Sequence, residues 1–203
     1  MSNQIIIFDF DETLVLENSL RFMFQGVASK SYWLAALPAV VRSFISGQFG
    51  FRLRRNIKQA LYEKHLAGLS PESVHKAGVD AASKLTINTV VMNELTAAQA
   101  RGDMVMVATA SPRLFVSGIL DQLNICIEKV IGTEIDFETG AIIGDECSRE
   151  AKWTAAFREI DSMACKRSLA YGNAPDDIFM LEQVDEGFLV KGQQVSKYST
   201  RFS

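Results

Sequence analysis

Residues 5–15 read Ile-Ile-Ile-Phe-Asp-Phe-Asp-Glu-Thr-Leu-Val, an apolar run that ends on two carboxylates one residue apart, Asp9 and Asp11, with Thr13 behind them. Side chains alternate along a strand, so Asp9 and Asp11 leave one face and Phe10 the other. Like charges this close repel, and an apolar strand end desolvates them, so the pair is costly without a cation or a shared proton. A divalent metal is the simplest compensator. Hard oxygen ligands favour Mg²⁺, which keeps much of its water and is commonly held by one or two carboxylates together with a substrate phosphate. The plainer alternative is a polar turn after a strand, since Asp favours turns. The position directly after a strongly apolar opening strand favours a site.

Outward from this stretch, strand patterns recur at 104–109, 129–131, 168–172 and 187–190, with helical patterns between them. The alternation predicts an α/β fold: a Rossmann-like, doubly wound parallel sheet whose sites gather at the carboxyl ends of the strands. Asp9, Thr109 and Gly172 fall at such ends. Residues 17–98 show helical periodicity and no convincing strand, far more than one crossover needs, so they are expected to form an α-helical cap. The core domain is then 1–16 and 99–203. Gly47 and Gly50 punctuate the cap, and Leu69-Ser-Pro-Glu72 resembles a helix start with Ser70 as N-cap and Pro71 in the first turn. Residues 134–143 alternate around Thr139-Gly140, which suggests a β-hairpin.

The chain has 203 residues, 48% hydrophobic and 22% charged, enough for one folded domain with an insertion and unlike a disordered chain. A net charge of −3 and a pI near 5.5 argue against a nucleic-acid partner, which needs a basic face. Cys126, Cys147 and Cys165 are well separated and odd in number, as expected of reduced thiols in a cytoplasmic protein, and read as small core residues. Two histidines, His65 and His75, leave little for a zinc site or a Ser-His-Asp triad and read as cap-surface residues. The N-terminus opens on strand residues without the basic-then-apolar pattern of a secretory signal. The apolar stretch 32–45 is interrupted by Pro38, Arg42 and Ser43 and falls short of the roughly 18 to 20 residues of a spanning helix. Its plain reading is packing inside a helical subdomain. The other is peripheral membrane contact, or an apolar lip for a greasy substrate.

Three later segments gain meaning beside Asp9 and Asp11. Val107-Ala-Thr-Ala-Ser-Pro112 offers hydroxyls and backbone amides, from Thr109, Ala110 and Ser111, before a helical segment, an arrangement suited to an anion. Thr109 is the preferred phosphate contact, while Ser111 also reads as a helix cap. Arg149-Glu-Ala-Lys152 opens a helix from which Lys152 can supply a fixed positive charge, although most lysines are solvated surface groups. Tyr171-Gly-Asn-Ala-Pro-Asp-Asp177 places Asn173, Asp176 and Asp177 at a strand exit, where an acidic helix-capping turn is the alternative.

In this order and spacing, Asp9-Phe-Asp-Glu-Thr13, Thr109-Ala-Ser-Pro112, Lys152 and Gly172-Asn-Ala-Pro-Asp-Asp177 closely resemble the four motifs of the haloacid dehalogenase superfamily. The helical stretch after the first motif is similar to the C1-type cap of its phosphoserine phosphatase-like branch, as is Ala67-Gly-Leu-Ser-Pro-Glu72. The resemblance implies a Mg²⁺-dependent phosphatase acting on a small phosphomonoester. Asp9 would be the nucleophile that forms an aspartyl-phosphate. Asp11 would be the acid and then the base, its carbonyl also holding the metal. Thr109 would bind the phosphoryl oxygens, Lys152 would offset their charge, and Thr13 would orient Asp11 or the local backbone. The fourth motif departs from the commoner pattern: the position after the glycine is Asn173, not an aspartate, which removes one negative charge from the metal set of Asp9, Asp11, Asn173 and Asp177.

Specificity in this family rests largely on the cap. Phosphoserine phosphatases carry a cap glutamate for the substrate amine, and Glu17 here looks one residue short. The basic cluster Arg52, Arg54, Arg55 and Lys58, with Arg52 and Arg55 as the chosen candidates, can recognise a second anionic group or form an exposed basic face. Three rivals stand beside the small-metabolite reading. One is a lipid-phosphate phosphatase, by analogy with phosphatidylglycerophosphate phosphatases. The others are a phosphotransferase and a non-catalytic homologue that binds a phosphate ligand. Dehalogenation, which dispenses with the second aspartate, does not suit a chain that has Asp11.

Overall fold

The computed structural model of the chain describes residues 4–28, 31–162 and 165–199. The opening apolar run forms strand β1 (Gln4–Asp9), buried on both faces from Ile5 onward, as a near-continuous hydrophobic strand should be at the centre of a parallel sheet. Beside it lie β2 (Met104–Pro112) and β3 (Lys129–Thr133) on one side, and β4 (Arg167–Gly172), β5 (Glu186–Lys191) and β6 (Gln194–Lys197) on the other. The order is β3-β2-β1-β4-β5-β6, with every neighbouring pair parallel except β5–β6. The five expected strands are present, and β6 is an addition that the mostly polar Gln194–Lys197 does not announce.

One sheet face, carrying Ile5, Ile7, Met106 and Ala170, packs on helices α7 (Arg149–Ser162) and α8 (Ile178–Gln183) through Ala156, Met180 and Leu181. The opposite face carries Ile6, Phe8, Val105 and Val107 and meets the remaining helices. Across that face Phe8, Tyr171 and Phe188 stack strand to strand, with ring centroids 4.9 and 4.7 Å apart. The register sets Asp9 beside Ala108 and Phe8 beside Tyr171, so the carboxyl ends of β1, β2 and β4 converge.

The insertion leaves and re-enters the sheet domain through one antiparallel bridge between Val15 and Ile87, flanked by hydrogen bonds from Leu16 N to Thr86 O and from Asn88 N to Leu14 O, both 2.9 Å. Between these points lie α1 (Leu20–Val27), a 3₁₀ turn (Tyr32–Ala36), α2 (Leu37–Ile45), α3 (Phe51–His65) and α4 (Pro71–Ala82). Gly47 and Gly50 separate α2 from α3 at φ of 65° and 61°. Ser70 caps α4 by accepting from Ser73 N at 3.2 Å, with Pro71 in the first turn. The next helix, α5 (Thr89–Ala100), which sequence periodicity groups with the insertion, packs against β2 and β6.

Helix α4 lies across α6 (Arg113–Gln122) at reciprocal glycines. A Cβ on Gly78 would sit 2.0 Å from Phe115 O, and one on Gly118 would sit 2.1 Å from His75 O, so the helices meet backbone to backbone. The expected hairpin at 134–143 is present in minimal form, one antiparallel bridge between Ile135 and Ile142 with hydrogen bonds from Asp136 N to Ala141 O at 2.8 Å and from Ile143 N to Glu134 O at 2.9 Å, and Gly140 turns against the end of α3. Of the cysteines, Cys147 is buried, Cys165 is half-buried and packs against the core, and Cys126 is exposed, so the core reading fails for Cys126. No helix among the described residues is long and apolar enough to cross a membrane.

Candidate active site

The strand ends form the floor of a cavity of about 290 Å³, lined by Asp9, Asp11, Ala110, Ser111, Lys152, Asn173 and Asp177 from the sheet domain. Asp9 closes β1 and is almost wholly buried. Lys152 reaches it from the first turn of α7, its ammonium 2.7 Å from Asp9 Oδ1 and 2.5 Å from Asp177 Oδ1. Lys152 is only 2% exposed, so the surface-lysine alternative does not hold. Asp177 stands at the N-cap position of α8 without capping it. Its second oxygen accepts from Asn173 N at 2.9 Å. Gly172 makes this possible, since a Cβ there would lie 2.6 Å from that of Asp177.

Three carboxylates, Asp9, Asp11 and Asp177, thus face one lysine. Burial, followed by the charge of Asp177, pushes the Asp9 carboxyl up to about 7 against the pull of Lys152. Burial opposes the Lys152 ammonium, but Asp177 and Asp9 together hold it well above the usual lysine range. The remaining negative charge is what a cation would offset. Among the described residues no group of three or more His, Cys, Asp or Glu has the arrangement of a metal site. A cation here would therefore draw on Asp9 and Asp177 together with the Asn173 amide, a backbone carbonyl and water, a hard-oxygen set that suits Mg²⁺. The Asn173 side-chain nitrogen donates to Glu12 Oε2 at 3.1 Å, and Glu12 sits at φ 60°, a conformation rarely adopted by residues with a side chain.

Asp11 is held from two sides. Ser111 Oγ donates to its Oδ2 at 2.6 Å, and Ser19 N, just ahead of α1, donates to its Oδ1 at 2.5 Å. Ser111 is therefore not a helix cap: β2 runs on to Pro112, which takes the N-cap position of α6. Thr109 is fully buried beneath the cavity, its hydroxyl accepting from Ser111 N at 3.1 Å, while Ala110 and Ser111 line the cavity itself. Thr13 is also fully buried, behind the wall, and its hydroxyl has no hydrogen-bond partner.

The roof comes from the insertion: Asn18, Leu20, Phe51, Arg54 and Lys58. Of the basic cluster, Arg52 is exposed and outside the cavity, and Arg55 lines a larger neighbouring groove, 3.6 Å from Asp145. The two basic residues in the cavity wall are Arg54, 3.0 Å from Asp176, and Lys58, paired with the buried Glu146. Arg149 adds a cation–π contact to Phe51, its guanidinium 5.2 Å from the ring centroid. Glu17 is not in the cavity: its carboxylate takes hydrogen bonds from Thr86 N at 2.8 Å and Thr86 Oγ1 at 2.7 Å, tying the two strands of the connection.

Sequence reasoning missed Glu12, Glu146 and Ser148. Glu146 and Ser148 lie in the irregular loop before α7, and Ser148 brings to the cavity wall a buried hydroxyl with no partner. Only the spacing of Glu12 inside the first motif could have drawn attention to it.

A model of the haloacid dehalogenase-like hydrolase family matches residues 6–182. A search of curated protein sequences returns no match. Among solved structures, one similar fold is a protein of unknown function from Bordetella pertussis Tohama I, 17% identical over 92% of this chain and 89% of that one, with a TM-score of 0.71. A HAD family hydrolase from Salmonella enterica subsp. enterica serovar Typhi is 15% identical with a TM-score of 0.64; the match covers 90% of this chain but 61% of that protein. A phosphoserine phosphatase solved as a phospho-aspartyl intermediate analogue is 18% identical over 92% of this chain and 86% of that one, with a TM-score of 0.62. At these identities the likeness is one of fold.

Proposed function

Because the chain belongs to the haloacid dehalogenase-like hydrolase family, we propose that it hydrolyses phosphomonoesters in two steps through an aspartyl-phosphate on Asp9. The observation that carries this reading is the buried Asp9–Lys152–Asp177 arrangement at the end of β1, with Asp11 fixed beside it by Ser111. A carboxylate oxygen of Asp9 attacks phosphorus while the bond from phosphorus to the alcohol oxygen breaks, and Asp11 gives its proton to the departing alkoxide. Asp11, now ionised, takes a proton from water as the water oxygen attacks the same phosphorus, releasing phosphate and restoring Asp9. Lys152 neutralises charge on Asp9 and the transferring group, and the backbone amide of Ala110 in the cavity wall receives a phosphoryl oxygen. Thr109 contributes by positioning Ser111. Asp9, Asp177, the Asn173 amide and the Asp11 carbonyl would hold Mg²⁺, which would supply further charge neutralisation when bound.

In this reading the cap spans Glu17 to Thr86, between the bridged strands, and α5 belongs with the core. A small cavity with Arg54 and Lys58 in its roof suits a compact, anionic phosphometabolite. The engagement of Glu17 with Thr86 gives no support to an amine-bearing substrate such as serine phosphate. Three free thiols agree with a reducing, cytoplasmic setting.

The test is hydrolysis of a generic aryl phosphate by the folded protein with and without Mg²⁺. Turnover that requires Mg²⁺ is expected. No turnover in either condition would overturn the proposal in favour of a binding protein, and transfer to an added alcohol in place of water would make the chain a phosphotransferase. Asn173→Asp is expected to lower the Mg²⁺ concentration needed for half-maximal rate, and an unchanged titration would remove Asn173 from the metal set.

A further inference from the structure

Helix α2 is built inside out. Ser43 is its buried residue, next to Ala36 buried at the end of the preceding 3₁₀ turn, while Leu37, Val41, Phe44 and Ile45 are turned to solvent. Ile45 is 83% exposed and Phe44 58% exposed. Trp33 in the preceding 3₁₀ turn and Phe49 in the following loop extend the surface, Phe49 packing edge-on against Phe44 at 5.4 Å between ring centroids. Hydrogen bonds fix this orientation. Asn56 of α3 donates to Ser43 Oγ at 3.0 Å and to Gln48 Oε1 at 2.7 Å, and Gln48 N donates to Ser43 O at 2.8 Å. Rolling the helix to bury its apolar stripe would break the bond from Asn56 and leave the Ser43 hydroxyl without that partner. A soluble surface gains nothing from a contiguous stripe of this kind, so it marks a contact.

Charge identifies what the contact is with. From residue 18 to residue 62 the chain has seven Arg and Lys and no Asp or Glu; because the whole chain is at −3, the remainder carries −10. Arg54, Arg55 and Lys58 are paired with Asp176, Asp145 and Glu146, whereas Arg42 on α2 itself and Arg52 at the start of α3 are exposed. The apolar stripe therefore lies in a wholly cationic segment of an otherwise acidic protein. Two copies joined through this face would set like charges against each other. An anionic bilayer satisfies both features, since its headgroups attract the basic segment, repel the acidic remainder and so orient the molecule, while Trp, Phe and Ile enter the acyl boundary. We propose that the 3₁₀ turn, α2 and the following loop, residues 32–49, form a docking surface for anionic phospholipid membranes. The same segment leads directly into α3, whose Phe51 and Arg54 line the cavity roof.

The test is sedimentation of the full chain with phosphatidylcholine vesicles and with mixed phosphatidylcholine and phosphatidylglycerol vesicles at low and high salt. Binding to the mixed vesicles at low salt is expected, roughly tenfold or more tighter than to the neutral ones, and weakened by salt. Tryptophan emission should shift to shorter wavelength on binding, and Trp33→Phe should remove the shift. Phe44→Ser and Ile45→Ser alter exposed side chains, so circular dichroism and thermal melting should match the parent while vesicle binding falls roughly tenfold or more. Equal binding to both compositions would overturn the proposal, as would no binding by folded protein. A dimer in sedimentation velocity that Ile45→Ser disperses, without vesicle binding, would assign the surface to a second copy instead. None of these readouts depends on phosphatase activity.

Discussion

Ion pairs occur both on the floor of the cavity and at its rim, and the two sets differ in what surrounds them. On the floor, Lys152, Asp9 and Asp177 are all nearly sealed from water. At the rim, Arg54 meets Asp176 with side chains 57% and 26% exposed, while Lys58 meets the buried Glu146. Charges withdrawn from water cannot be separated without leaving one uncompensated, whereas exposed charges exchange a partner for water at little cost. The floor is thereby built to stay in place, and the Arg54–Asp176 pair is the part of the rim that water can replace at little cost.

The sharpest way to break this contrast is Asp9→Asn. Replacing the proposed nucleophile should reduce kcat for an aryl phosphate by about 10⁴-fold or more, with the fold intact by circular dichroism; ordinary turnover would refute the aspartyl-phosphate route. Next in size, Lys152→Met leaves Asp9 and Asp177 facing each other without their cation, and should cost about 3–5 kcal/mol in urea unfolding. Gly118→Ala probes the back of the cap: the added methyl meets His75 O and should cost about 1–3 kcal/mol, with thermal melting as the check. Arg54→Ala is the smallest. It should move stability by less than about 1 kcal/mol, and a loss as large as that of Lys152→Met would erase the distinction between floor and rim.

The floor was legible in the sequence because a parallel sheet fixes where its strands end. Asp9, Ser111 and Asn173 each follow an apolar run, and pairing in register brings those ends together whatever the intervening length. Lys152 could be placed because a helix start follows the 134–143 loop. The rim was not legible, since it depends on rotational phase. Successive residues on a helix turn by about 100°, so the rotation of α3 after Gly50 decides that Arg54 and Lys58 line the cavity while Arg52 meets solvent. Glu146 and Ser148 sit in a loop without periodicity, and no pattern marks them. The use of Glu17 was hidden because its partner, Thr86, is distant in sequence and is met only through the bridge at Val15 and Ile87.

Gly140 adds a last consequence. It lies with space for no side chain against Tyr62 and Glu63 at the carboxyl end of α3, while Gly68 N donates to Phe137 O at 2.7 Å and Gly78 and Gly118 join α4 to α6. The insertion is thus joined to the sheet domain by backbone contact along α3 and α4, and at the cavity by the Arg54–Asp176 and Lys58–Glu146 ion pairs. Backbone contacts this close leave no room for a side chain, so the seat of the insertion is fixed by glycine at three positions, Gly78, Gly118 and Gly140.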